Sequence, residues 1–105
     1  MSEKLVRDNV PALILAIENR EPTYRRADEA EYILALWDKL LEESKEVATA
    51  ETKSEMTEEL ADLLEVIDAI KAVCNIDEDT LQYWKKRKAL LSGRFDKRYM
   101  LVTEK

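Results

Sequence analysis

Four acidic residues stand in two pairs whose spacing suits a metal site. Glu43 with Glu46, and Glu59 with Asp62, are each separated by three positions. In an α-helix that spacing projects both carboxylates of a pair to one side. The two pairs also mirror each other: 43 lies as far before the intervening gap as 62 lies after it, and 46 matches 59. Two antiparallel helices joined by a turn near residues 51–54 would bring those crosswise partners to the same height. Four carboxylates so gathered repel one another unless cations neutralise them. Hard divalent ions that prefer oxygen ligands, Mg²⁺ before Mn²⁺, are the natural partners.

The elements that must carry these residues can be read from caps and periodicity. Asp8 is the expected N-cap of a first helix, with Pro11 in its first turn and Val10, Leu13, Ile14 and Ile17 as its apolar stripe, ending near Asn19. A short extended stretch over 22–26 follows. Asp28, with Glu31 three positions on, reads as a capping box opening a second helix that runs to about Ala50. Thr52 and Glu55 repeat that pattern for a third helix reaching about Cys74. Asp77 or Asp79 opens a fourth, and Gly93 offers its stop. Residues 98–103 have strand-like composition and would pair with 22–26 in a two-stranded ribbon.

Glu43 interrupts the apolar stripe Ile33, Leu36, Leu40 and Val47, where a core residue is expected. An unpaired buried carboxylate costs several kcal/mol, a penalty that a metal ion or a basic partner removes. Helix three is nearly continuously apolar from Leu60 to Val73, broken by Asp62, Glu65, Asp68 and Lys71. Polar residues at every third position drift around the helix and leave no broad solvent face. Burial on more than one side is expected, in a bundle completed by a second copy of the chain. Glu42, Glu51, Glu55 and Glu58 read as ordinary surface charges.

Composition narrows the class. The 105 residues are 46% hydrophobic and 38% charged, with one glycine and two prolines, which points to one all-α domain spanning 1–105. A net charge of -6 argues against a general nucleic-acid binder. No apolar run reaches the roughly 18 residues of a membrane span, and no secretory signal is evident, so a cytoplasmic location is expected. The lone Cys74 fits a reducing compartment and is expected to be buried, without a redox role. The absence of histidine removes Ser–His and Cys–His nucleophiles and the usual zinc sites.

Against the acidic background, Lys85, Lys86, Arg87, Lys88, Arg94, Lys97 and Arg98 face a single acid, Asp96. A cationic helix end could account for residues 85–88. It does not account for Arg94, Lys97 and Arg98, beyond Gly93. Beside a metal cluster such a segment suits a polyphosphate, and Lys4 with Arg7 could join it. Trp84 and Phe95 are the candidates for touching a nucleobase, whereas Tyr32, Trp37 and Tyr83 fit core or dimer contacts.

These residues resemble the MazG-like all-α nucleoside triphosphate pyrophosphohydrolases, the group that includes phosphoribosyl-ATP pyrophosphohydrolase. The family's Glu-Glu-x-x-Glu and Glu-x-x-Asp motifs match Glu42-Glu43-Ser44-Lys45-Glu46 and Glu59-Leu60-Ala61-Asp62. Lys4-Leu5-Val6-Arg7-Asp8-Asn9-Val10-Pro11 is similar to the Lys-Leu-Val-Arg-Asp-Lys-Ile-Pro opening of a small house-cleaning branch. Gly93-Arg94-Phe95-Asp96-Lys97-Arg98 resembles that branch's Gly-Gly-Phe-x-x-Arg ending. Two positions depart from the pattern: Asn9 replaces a lysine and Arg94 replaces the second glycine.

The resemblance implies a four-to-five-helix bundle completed as a homodimer or homotetramer. It also implies Mg²⁺-dependent cleavage of a nucleoside triphosphate between the α and β phosphates, giving a monophosphate and pyrophosphate. Glu43, Glu46, Glu59 and Asp62 would hold the metal, with Glu46 also orienting water or taking its proton. Lys4, Arg7, Lys88, Arg94, Lys97 and Arg98 would contact phosphates. House-cleaning of non-canonical nucleotides is the expected role, with a phosphoribosyl-nucleotide enzyme of biosynthesis as the alternative. A non-catalytic helical dimerisation module is the alternative from a different class.

Overall fold

Local signals at the helix ends account for most of the secondary structure. In the computed structural model, which describes residues 3–102, four helices follow one another: α1 (Val10–Glu18), α2 (Glu29–Thr49), α3 (Lys53–Val73) and α4 (Glu78–Ser92). Asp28 caps α2 by accepting from the Glu31 amide at 2.8 Å. Thr52 caps α3 through the Glu55 amide at 3.1 Å, and Asp77 caps α4 through the Thr80 amide at 3.3 Å. Each bond satisfies one of the amides that a helix start leaves without a partner. After Val73 the chain turns through Asn75 at φ 55, with the Ile76 amide donating to the Lys71 carbonyl at 2.9 Å. That is the Schellman arrangement, here with asparagine in the left-handed position. Gly93, at φ 81, ends α4 as its sequence position implied.

Three expectations need correction. The cap of α1 is Asn9, not Asp8, and no side chain bonds there. A backbone turn with the Val10 amide donating to the Arg7 carbonyl at 3.1 Å leads into the helix instead. Cys74 is exposed, because it occupies the C-cap where the chain swings outward into Asn75.

The ribbon is the third. Among the described residues there is no strand, and 22–26 does not pair with 98–102; Thr103 lies outside the described residues. Arg25 ties the first stretch elsewhere: it donates to Glu3 at 2.9 Å and, through two N–H groups, to Glu31 at 2.7 and 2.6 Å. The second stretch leaves the helices altogether. Arg98 turns back on the Phe95 carbonyl at φ 58, and Phe95 is 97% exposed.

Among the described residues, the only helices packed together along their length are α2 and α3, an antiparallel hairpin closed by the short Ala50–Thr52 connection. Leu36, 3% exposed, is the one buried hydrophobic side chain among the described residues. The radius of gyration is 18.4 Å, against about 13 Å for a compact chain of this length. No helix among the described residues is long and apolar enough to cross a membrane.

The apolar surface left uncovered is organised. Leu34, Trp37 and Leu41 on α2 and Met56, Leu60 and Leu64 on α3 are all exposed. At ~100° per residue, the first three are rotated by roughly 100–160° from the buried Leu36. The second three are rotated by roughly 80–160° from the half-buried Val66, in the same sense. In an antiparallel pair, equal senses of rotation point to the same side. One face of the hairpin is therefore a double apolar stripe. Asp62 and Glu46 turn the opposite way, toward the other face.

Candidate metal centre

Glu43 comes from the middle of α2, and Glu59 and Asp62 come from the facing turn of α3. The hairpin turn sets their register, and the stripe that seats Leu36 points Glu43 inward. All three residues are half-buried. One carboxylate oxygen from each lies within 4.8 Å of the others. Oxygens on opposite sides of a Mg²⁺ ion at ~2.1 Å would stand about 4 Å apart, so small side-chain movements suffice to close such a shell.

Two further features mark the cluster as under-neutralised. Glu43 Oε2 is buried and has no hydrogen-bond partner. Such an atom normally finds a donor or an ion. Glu59 is held above the ordinary glutamate range by burial first, then by the adjacent Glu43 carboxylate and the charges of Glu46 and Asp62. Three hard oxygen donors, on residues that include the orphaned Glu43 Oε2, have the chemistry a divalent cation takes.

Glu46 stands apart. It is exposed, and its oxygens do not join the converging three, although its charge is close enough to act on Glu59. The crosswise registry thus brings together Glu43, Glu59 and Asp62 and leaves Glu46 at the rim. The difference lies in rotation: Glu43 is about 20° from the direction of Leu36 on the helical wheel, and Glu46 is about 80° away.

The basic residues divide into two groups. Arg7 donates to Asp62 Oδ1 at 2.6 Å, and Lys4 lies 3.9 Å from Glu42. The N-terminal segment therefore runs along α2 and reaches α3 at the acids. A small hollow of about 90 Å³ between Glu3, Lys4 and Leu5 on one side and Ala35, Asp38 and Glu42 on the other marks this seam. The Arg7–Asp62 contact joins residues 55 positions apart, and nothing local in the sequence signals it. By contrast, Lys88, Arg94, Lys97 and Arg98 are exposed and form no ion pair among the described residues. Lys97 instead lies 5.9 Å from the centre of the Tyr99 ring. Trp84 packs edge-on against Tyr83 at 5.5 Å, and both Trp84 and Phe95 are exposed.

Comparison with protein families, with characterised proteins and with solved structures finds no match for the chain.

Proposed function

We propose that the chain is a MazG-like nucleoside triphosphate pyrophosphohydrolase, cleaving between the α and β phosphates with Mg²⁺ and releasing pyrophosphate. One observation carries the proposal: carboxylate oxygens of Glu43, Glu59 and Asp62 within 4.8 Å of one another, beside a buried Glu43 oxygen without a donor. When bound at Glu43, Glu59 and Asp62, Mg²⁺ supplies neutralisation of the triphosphate and a more acidic water for in-line attack. Glu46, exposed and with its charge acting on Glu59, would orient that water and accept its proton. Arg7 and Lys4 bring positive charge to the rim of the same site. Lys88, Arg94, Lys97 and Arg98, free of acidic partners among the described residues, would hold the departing pyrophosphate once the tail folds over it.

The working unit proposed here is a homodimer, or a homotetramer of such pairs. The stripe of Leu34, Trp37, Leu41, Met56, Leu60 and Leu64 leaves an apolar face that a second copy would cover. The same face favours the second reading, a helical dimerisation module without catalysis. Pyrophosphate release from a panel of ordinary, damaged and phosphoribosylated nucleotides, with and without Mg²⁺, decides between them. Mg²⁺-dependent release supports the enzyme and ranks its substrates. No release from any nucleotide, and no rise in melting temperature with Mg²⁺, would leave the interaction module.

A further inference from the structure

The N-terminal segment is fastened along its length by charge. Glu3 accepts from Arg25, Lys4 approaches Glu42, the Leu5 side chain is half-buried against α2, and Arg7 ends the run on Asp62. The last contact differs from the others in where it lands. Asp62 is one of the three residues whose oxygens converge, so Arg7 already neutralises part of the charge that a divalent cation would meet. The bond is a single N–H···O between side chains that are 62% and 42% exposed. Contacts of that kind contribute little and exchange readily. Leu5 and the Glu3–Arg25 pair lie upstream of Arg7 and do not involve its side chain, so the guanidinium can swing without releasing the segment.

We propose that Arg7 is a transferable counter-ion of the metal centre, bound to Asp62 until a divalent cation arrives and then passed to a phosphate oxygen of the substrate. The inference deepens the proposed function and rests on it. A cation held by Asp62 would compete with the Arg7 hydrogen bond for that carboxylate and would free one guanidinium fork. A polyphosphate oxygen offers that fork a stronger, bidentate partner than the single contact it leaves. Arg7 would therefore oppose metal binding alone and favour metal together with polyphosphate. The order of events, cation first and polyphosphate second, would be built into one side chain.

The test uses Mn²⁺ as the metal and inorganic tripolyphosphate as the phosphate probe, both titrated calorimetrically into the full chain. Arg7→Ala is expected to bind Mn²⁺ alone more tightly, by up to about fivefold, because an exposed competing ion pair is gone. The same variant is expected to bind tripolyphosphate in the presence of Mn²⁺ at least about tenfold more weakly. Arg7→Lys, which keeps the charge but not the fork, should lie between wild type and Arg7→Ala on both measurements. A side chain with a merely structural role would weaken both affinities together; the opposed signs are the signature. In the unaltered protein, the Arg7 Nε NMR signal should shift on adding Mg²⁺ alone and again on adding tripolyphosphate. An unmoved signal, or equal or weaker Mn²⁺ affinity in Arg7→Ala, overturns the transfer while leaving the metal site intact. Failure of the wild-type chain to bind Mn²⁺ at all overturns the proposed function, and the transfer with it.

Discussion

Glu43 sits where the α2 stripe calls for an apolar side chain, and one of its oxygens is buried without a donor. Replacing it with glutamine removes the charge while keeping the shape. Glu43→Gln and Asp62→Asn should each lower kcat/KM for Mg²⁺-dependent pyrophosphate release by at least about a hundredfold, since each removes a proposed metal ligand. Glu46→Gln should cost less, because that carboxylate stands outside the converging three; equal losses in a steady-state assay would contradict the division between site and rim. Glu59 gives a pH prediction. Burial, then Glu43 and the neighbouring acids, raise its pKa. The folded chain therefore holds that proton above the pH at which the unfolded chain releases it. Its favourable contribution is complete below the ordinary glutamate value and is lost as pH rises through the raised one. Metal-free Glu59→Gln should thus melt above wild type at neutral pH, with the gap closing on acidification through that window. Glu31, lowered by its hydrogen bonds from Arg25, and Glu78, lowered by Lys71, act with the opposite sign in both proteins and cancel in the comparison. A gap in melting temperature that is constant with pH would show that Glu59 carries no such strain.

At the scale of elements, the site depends on how α2 and α3 are started and joined. Thr52, the last residue of the three-residue connection, caps α3, and Glu55 Oε2 accepts from the Glu51 amide at 3.2 Å. Those two bonds fix the turn from which the register of Glu43 against Asp62 follows. Thr52→Ala should reduce the free energy of unfolding by about 1 kcal/mol in urea titrations at fixed protein concentration, with Thr52→Ser near wild type. An Ala variant as stable as wild type would mean that helix packing alone holds the turn. Capping was legible in the sequence at Asp28, Thr52 and Asp77 because it involves groups within three residues of each other. The reciprocal half of the expected Asp28–Glu31 box is absent, since Glu31 is drawn to Arg25 instead. The α1 cap moved to Asn9 for a comparable reason: a backbone turn at Arg7–Val10 leaves Asp8 nothing to cap.

At the scale of the whole molecule, one buried leucine among the described residues and an extended outline, 58 Å in its longest dimension, are a small core for this much apolar sequence. The double stripe on α2 and α3 lies on the hairpin face away from Asp62, so a second copy could cover it without closing the acidic site. Light scattering should give at least two copies of the 12.2 kDa chain, with a melting temperature that rises with protein concentration. Leu41→Glu together with Leu64→Glu should shift the mass toward one copy, as charges on that face would be desolvated in the dimer. Wild-type mass in that double variant would place the contact elsewhere.

The sequence by itself determined the four helices, their boundaries to within a residue or two, and the matched heights of the acids on α2 and α3. Caps, glycine stops and apolar periodicity act over a few residues, so their outcome is written locally. Only the tertiary structure decided the rest. Helix rotation left Glu46 at the rim while Glu43, Glu59 and Asp62 converged, and the outward turn at Asn75 exposed Cys74. Arg25 held the 22–26 stretch away from the tail, and Arg7 crossed 55 positions to reach Asp62. The Arg25 and Arg7 contacts depend on where distant side chains meet, a competition among long-range partners that no local pattern encodes.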